Sequence, residues 1–157
     1  SPRDTAMLVV LSLCGMMKRA PVCSHLKRGG RDEMKALSVK QPWASLIAGG
    51  HKTIEWRSWR THYRGPLLIC SGKTPDDIYF EFDPDEARQN WPLGVAVATV
   101  ELVEVRPFDA KKDAEAAMLD EDDLPSVQGF SWVLENPVPV PGTPPVRGKQ
   151  GLFEVAL

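Results

Sequence analysis

Residues 50–57 read GHKTIEWR, so a lysine, a glutamate and an arginine fall within six consecutive positions directly after a pair of glycines. If a strand begins at Thr53, its side chains alternate between two faces with a period of two. The polar face then carries Thr53, Glu55 and Arg57, and the apolar face carries Ile54 and Trp56. The pattern predicts a strand that packs into a core on one side and presents a carboxylate beside a guanidinium on the other.

A short helix is predicted immediately before this strand. Pro42 suits the first turn of a helix, where a missing N–H is tolerated, and Trp43, Leu46 and Ile47 recur at helical spacing. The pair Gly49-Gly50 supplies a left-handed stop. The helix therefore ends where the charged motif begins.

The other elements are short and separated by turns, since 14 prolines and 12 glycines punctuate 157 residues. Apolar and β-branched runs predict strands, and alanine-rich or acidic stretches predict helical turns. Predicted strands cover 36–39, 53–59, 67–70, 94–105, 130–134 and 151–157; helical segments cover 84–89 and 111–119, with an acidic loop at 120–123 and an extended edge or loop at 137–145. We expect a mostly β (α+β) domain, a small and largely antiparallel barrel of about five to six strands with one to three short helices.

The first fifth of the chain differs from the rest. Residues 1–33 are irregular and end in a basic, glycine-containing run, so we predict a flexible N-terminal extension and a folded domain over 34–157. The apolar stretch 6–17 is too short to span a membrane as a helix, and the following Lys18-Arg19 weakens a signal-peptide interpretation. No membrane association is expected.

The three cysteines, Cys14, Cys23 and Cys70, are an odd number without the spacing of metal ligands. Neither a disulfide framework nor a zinc site is indicated, which favours a reducing compartment and a cytoplasmic location. No metal and no cofactor is expected.

Charge is segregated along the chain although the net charge is only -2. Residues 35–75 contain seven basic and one acidic side chain, whereas 76–123 contain four basic and fifteen acidic ones. Lysine, arginine and aromatic side chains in the first segment are the types that hold phosphates and stack on bases, although scattered surface cations with core aromatics give the same composition. The acidic segment argues against coating long duplex DNA and favours, as a separate hypothesis, a protein-interaction module.

Several residues in the basic segment have more than one interpretation. Lys52 could clamp a phosphate, act as a base if desolvated, or be a solvated loop cation. Glu55 and Arg57 could bind a base edge and a phosphate, or form a structural salt bridge. Trp59 is the favoured stacking platform, while Trp43 and Trp56 are expected in the core. The candidate ligand-binding residues are Lys40, Gln41, Lys52, Thr53, Glu55, Arg57, Trp59 and Arg64.

Five blocks of this chain together resemble a known family. They are LSVKQPWASLIAGGHKTIEWRSW, YRGPLLICSG, LGVAVATVELVEV, GFSWVLENP and PPVRGKQGLFEV. In order and spacing they resemble the ASCH domain, named for activating signal cointegrator homology and grouped with the PUA-like β-barrels. The hallmark Gly-x-Lys-x-x-Glu-x-Arg is met by Gly50, Lys52, Glu55 and Arg57. The resemblance implies a β-barrel with a cleft beside its opening helix that takes RNA or another nucleic-acid ligand.

The resemblance also implies two enzymatic alternatives. Some members hydrolyse N4-acylated cytidine with a Lys, a Thr and a Glu; Lys52 matches the Lys, Glu55 stands where the Thr would be, and Glu101 matches the Glu loosely. Another member resembles a ribonuclease for single-stranded RNA, and Lys52 and Ser131 match its Lys and Ser, while its tyrosine lacks a counterpart. Candidate catalytic residues are Lys52, Glu55 and Ser131. Binding of RNA or a nucleotide-like ligand is the favoured hypothesis, and catalysis and protein interaction remain alternatives.

Overall fold

The computed structural model describes residues 33–141 and 145–156. Within these ranges it has six strands and three short α-helices, which confirms the predicted mostly β class. In chain order the elements are β1 (Glu33–Val39), α1 (Trp43–Ala48), β2 (Ile54–Arg57), β3 (Gly65–Ser71), α2 (Pro84–Asn90), β4 (Ala96–Pro107), α3 (Ala110–Asp113), β5 (Phe130–Pro139) and β6 (Leu152–Ala156), with 3-10 turns at Asp77–Glu81 and Glu121–Asp123.

The strands form one sheet in the order β2-β5-β4-β3-β1-β6. Four of the five pairings are antiparallel, and β1 and β3 pair in parallel because α1 and β2 carry the chain across between them. β-Bulges interrupt the ladders of β4 with both of its neighbours, and such bulges bend a sheet. The described strands therefore pair as a bent, open series.

The bending brings β2, at one edge of the series, close to β1, the strand next to the other edge. β2 and β1 are four strand steps apart, which would separate them by about 19 Å in a flat sheet. Arg57 in β2 nevertheless donates through Nη2 to the Ser38 carbonyl oxygen in β1 at 2.6 Å. The sheet is thus curled into a barrel-like shape, and among the described contacts a side chain rather than a backbone ladder spans its remaining gap.

The main core fills the inside of this curled sheet. Inward-facing positions alternate along the strands, and α1 packs against β3, β4 and β5. Each fully buried aliphatic side chain there contributes about 1.5–3 kcal/mol. The cluster comprises Leu37, Val39, Ala44, Ile47, Leu67, Ile69, Val100, Leu102, Trp132 and Leu134.

The predicted helix over 111–119 is shorter than expected and ends at Asp113. The Asp113 side chain turns inward, where it accepts hydrogen bonds from Arg106 and Ser131. The chain then turns, with Met118 in the left-handed region at φ 56°. The carbonyl groups of this turn are used by β2 instead of by a longer helix.

Some sequence predictions fall on residues outside the described ranges. Residues 1–32 of the predicted extension 1–33, the apolar stretch 6–17 and Cys14 and Cys23 are among them, so the proposed boundary at residue 34 stays a prediction. In the described part, no helix is both long and apolar enough to cross a membrane. The cytoplasmic location likewise stays a prediction.

Candidate functional site

The end of α1 positions the charged motif. The His51 and Gly50 amides donate to the carbonyl oxygens of Leu46 and Ile47, which is the bond pattern of a Schellman motif. This pattern needs a left-handed residue, and Gly50 has φ 79°. The Lys52 amide also donates to Leu46 at 3.2 Å, so the lysine is fixed directly to the helix end.

Lys52 is a buried cation with an exposed fraction of 6%. Its Nζ donates to the carbonyl oxygens of Ile54 at 2.8 Å and Ala117 at 2.6 Å. Burial lowers the pKa of Lys52, with Glu55 opposing this shift and Arg57 adding to it. The ammonium group therefore links β2 to the turn after α3, and Lys52 forms part of the wall of the cavity described below.

Glu55 lies between the two cations of the motif. Its carboxylate is 3.9 Å from Lys52 Nζ and 3.8 Å from Arg57 Nε, which is too long for direct hydrogen bonds. Glu55 Oε2 and Arg57 Nε are buried and have no hydrogen-bond partner. The sequence interpretation of Glu55 and Arg57 as a same-face pair matches this geometry, in which Arg57 also reaches Ser38.

A cavity of about 1520 Å³ opens beside the motif. Its walls come from the ends of β1 and β2, the turn after β3, the segment 117–127 and the segment 147–151 before β6. Six basic and three acidic side chains line it, so the cavity favours an anionic ligand. The basic residues are Lys40, Lys52, Arg57, Lys73, Arg147 and Lys149, and the acidic ones are Glu55, Asp76 and Asp123.

Three tryptophans line the same cavity in different ways. Trp43 donates from Nε1 to Asp76 and packs against the core. Trp59 meets Trp132 edge-on, with ring centroids 4.8 Å apart. Trp56 belongs to none of the described core clusters, and its Nε1 lacks a partner. The expectation that Trp56 packs in the core is therefore wrong, and it becomes the leading stacking candidate beside Trp59.

Four cavity cations are exposed, and we call them the rim cations: Lys40, Lys73, Arg147 and Lys149. None of them makes a hydrogen bond or an ion pair with another described residue. Lys73, Arg147 and Lys149 were not among the candidates from the sequence. The block PPVRGKQG was a signal for the last two, but its distance from the motif along the chain hid their proximity.

Four predicted residues do not line the cavity. Gln41 is fully buried and holds the Pro92 carbonyl oxygen and the Ser45 amide. The exposed Arg64 side chain donates to the carbonyl oxygens of Thr61 and Tyr63. Thr53 is exposed, and its backbone bonds Ala116 and Leu134. Ser131 is buried and donates to Asp113 at 2.8 Å. The structure gathers Lys40, Lys52, Glu55, Arg57 and Trp59 in the cavity and leaves the other four outside its lining.

Ser131 belongs to a separate polar network centred on Asp113, a fully buried carboxylate at 1% exposure. Asp113 accepts from Arg106 at 2.6 Å and from the Asp109 amide at 3.1 Å, besides Ser131. Burial opposes ionisation, but these hydrogen bonds outweigh it and lower the pKa of Asp113. The network anchors α3 to β4 and β5 and thereby positions the turn whose carbonyl oxygen holds Lys52.

Residues 37–141 match the model of the ASCH domain. The chain belongs to the ASCH domain family. The matched range runs from within β1 to just past the end of β5 and includes the whole motif. In the described ranges, no group of three or more His, Cys, Asp or Glu side chains is arranged to hold a metal ion.

Two curated relatives share this ASCH domain region. Activating signal cointegrator 1 of Homo sapiens is 27% identical over 137 residues, which is 80% of this chain and 23% of that protein. The protein of the same name from Mus musculus is 26% identical over 144 residues, with the same coverage. This chain thus spans about a quarter of the length of these relatives.

Solved structures support the fold. A crystal structure of ASCH from Zymomonas mobilis superposes with a TM-score of 0.56 and 14% identity, covering 78% of this chain and 87% of that one. A mutant form of the same protein also gives a TM-score of 0.56 and 14% identity over 78% of this chain and 89% of that one. At this identity the likeness concerns the fold alone.

Proposed function

We propose that this ASCH domain binds RNA, single-stranded or structured, or a nucleotide-like ligand, in the cavity beside the GxKxxExR motif. The observation that carries the proposal is the combination of three tryptophans with four cations that have no partner among the described residues, all around a single cavity. Cations neutralise phosphates, and indole rings stack on bases of any sequence. The two chemistries serve the two repeating parts of a nucleic-acid strand.

The size of the cavity supports a strand rather than a single small molecule. Its volume of about 1520 Å³ exceeds the roughly 300–1,000 Å³ of ordinary small-molecule pockets. Its walls come from five separate parts of the chain, including both edges of the curled sheet. A short run of nucleotides fits such a cleft better than an isolated nucleoside.

The test is titration of a fluorescently labelled single-stranded RNA and a labelled hairpin, each at about 50 mM and about 200 mM salt. Binding that weakens as salt rises, with a slope of roughly -0.7 per phosphate contact for the single strand, is expected. The absence of salt-sensitive binding to either RNA would overturn the proposal and leave a protein-interaction module as the better hypothesis.

An aromatic variant tests the stacking half of the proposal. Trp56→Ala is expected to weaken RNA binding about tenfold, since a stacked base is worth about 1–3 kcal/mol. The matched control is Phe80→Ala, because Phe80 is 72% exposed and lies outside the cavity lining. Equal affinity of the two variants would show that the tryptophan does not touch the ligand.

A hydrolase is the second candidate, and the burial of Lys52 favours it. The pKa of Lys52 is lowered inside a cleft, and the carboxylate of Glu55 lies next to it. A lysine in this environment can act as a general acid or base. The test is incubation with single-stranded RNA and, separately, with N4-acylated cytidine, each beside a Lys52→Ala sample. Turnover by the parent protein that Lys52→Ala abolishes would establish catalysis, and unchanged substrate in both reactions would exclude these two activities.

A further inference from the structure

The rim cations come from three distant parts of the chain and meet at one opening. Lys40 follows β1, Lys73 follows β3, and Arg147 and Lys149 precede β6. The other cations of the cavity, Lys52 and Arg57, are already bonded to carbonyl oxygens. The described lining holds six cations and three carboxylates, and no rim cation forms an ion pair with a described residue, so the excess of positive charge indicates a site for a ligand of high negative charge.

Ser38 lies among these cations in the cavity lining. A Cβ atom on Gly148 would come within 2.7 Å of Ser38 Oγ, so the backbone between Arg147 and Lys149 passes directly over this hydroxyl. Gly72 approaches from the other side, where a Cβ would lie 3.7 Å from the same oxygen. The glycines allow the backbone segments that carry Lys73 and that carry Arg147 and Lys149 to approach one hydroxyl group closely.

We propose that Ser38 and the rim cations form a phosphate-binding subsite, and that the ligand is therefore a nucleotide or an oligonucleotide and not a free nucleoside. The inference rests on the proposed function, because it takes the phosphate to belong to the strand whose bases reach the tryptophans. Lysine and arginine beside a hydroxyl donor are the usual partners of phosphate oxygens. Carboxylates of an acidic peptide carry one charge each and offer nothing to stack on Trp56 and Trp59.

Charge removal at the subsite is the first experiment. Arg147→Ala/Lys149→Ala is expected to weaken single-stranded RNA binding about tenfold at low salt and to make the salt slope shallower by about 1.4, for two phosphate contacts. The matched control is Lys111→Ala/Lys112→Ala, because these exposed lysines lie outside the cavity. If both double variants lose the same amount, binding follows net charge alone and the subsite is disproved.

A second variant keeps every charge and moves only the backbone. Gly148→Ala places a methyl group against Ser38 Oγ and should displace Arg147 and Lys149. Affinity is expected to fall severalfold although the charge is unchanged. Gly151→Ala is not a suitable control, because Gly151 has φ 71° and an alanine there would strain the backbone. Ala114→Gly lies away from the cavity and controls for an exchange between alanine and glycine. Undiminished binding by Gly148→Ala contradicts a built subsite.

The ligand side separates this inference from the proposed function. Cytidine, cytidine monophosphate and inorganic pyrophosphate are titrated into the protein while the Ser38 and Gly148 amide resonances are followed. Shifts with the two phosphate-bearing probes and none with cytidine are expected. RNA binding without such shifts would overturn the subsite and leave the proposed function intact. Shifts without RNA binding would overturn the proposed function and keep the subsite.

Discussion

The motif cations and the rim cations share one cavity but differ in what they hold. Lys52 and Arg57 donate to the carbonyl oxygens of Ile54, Ala117 and Ser38, whereas no rim cation has a described partner. Within the described residues, the motif that identifies the family thus joins parts of the protein. The charge left for a ligand lies mainly on side chains that the motif does not contain. The motif side chains therefore help to hold the framework of the cavity together, while the rim cations remain exposed at its opening.

The largest expected effect on stability comes from the motif side of this comparison. Lys52→Met should lower the free energy of unfolding by about 3 kcal/mol, because it removes the donor to two carbonyl oxygens and leaves the half-buried Glu55 without its lysine. Lys149→Met should change it by less than about 0.5 kcal/mol, as surface substitutions do. Urea unfolding of both variants provides the measurement.

The pH dependence sharpens the same prediction. The folded-state pKa of Lys52 lies below its ordinary value of 10.5, so the folded protein binds this proton less readily than the unfolded chain. Stability from this group is greatest above pH 10.5 and decreases as the pH falls toward the folded-state pKa. Lys52→Met should remove this alkaline dependence. Unfolding curves with the same alkaline dependence in both proteins would show that the lysine is not desolvated.

A smaller loss of stability is expected from a substitution at Asp113, whose network positions the turn that holds Lys52. Asp113→Asn should cost about 2 kcal/mol, since it weakens the hydrogen bonds from Arg106 and Ser131 to a buried charge. The pKa of Asp113 is lowered, so its contribution is complete above the ordinary value of 3.8 and is lost as the pH falls through the folded-state pKa. Thermal unfolding from neutral to acid pH should show a flatter acid limb in the variant. A parallel acid limb would mean that other carboxylates control it.

A still smaller loss of stability is expected from a substitution that displaces the Trp56 ring in the cavity. A Cβ on Gly129 would come within 2.4 Å of the Trp56 ring, so Gly129→Ala must displace the indole. We expect a loss of about 1.5 kcal/mol from overpacking, together with weaker RNA binding and a shifted tryptophan fluorescence maximum. Val127→Ala, at an exposed position of the cavity edge, is the control. Unchanged fluorescence in Gly129→Ala would place the ring elsewhere.

The smallest expected effect is at Cys70, on the strand that leads to Lys73. Burial raises the pKa of the Cys70 thiol to about 11, so the group is neutral at physiological pH. We expect negligible labelling by a thiol reagent in the folded protein and rapid labelling in urea. Because the other cysteines would react separately, the measurement is made by mass spectrometry of the peptide containing Cys70. Rapid labelling at neutral pH without urea would show that β3 becomes accessible to solvent in the folded protein.

Most of the fold was accessible from the sequence because local signals agree with the tertiary structure. The helix stop at Gly50, the alternation in β4 and the apolar run of β3 all follow from backbone and side-chain preferences within a few residues. The helix predicted over 111–119 ends early, at Asp113, whose side chain is buried against Arg106 and Ser131. No local pattern announces such a long-range pair.

The site was predicted only where it is local in sequence. Lys52, Glu55, Arg57 and Trp59 lie on one short segment, and all four line the cavity. Arg147 and Lys149 were missed because the fold, and not the local sequence, brings the segment before β6 to the same cavity as β2. Gln41 was misplaced for the opposite reason, since a polar residue beside a helix start looks available for a ligand until its buried bonds to Pro92 and Ser45 are known.

The contact between Arg57 and the Ser38 carbonyl oxygen has a mechanical meaning. A gap closed by a backbone ladder would widen only after several hydrogen bonds in register had been broken. Among the described contacts, the gap between β2 and β1 is bridged by the side chain of Arg57 alone. One hydrogen bond to a charged group contributes about 1.5–3 kcal/mol. We expect that a phosphate or base that binds the guanidinium in place of the Ser38 carbonyl oxygen widens the gap between β2 and β1 while every strand pairing stays in place.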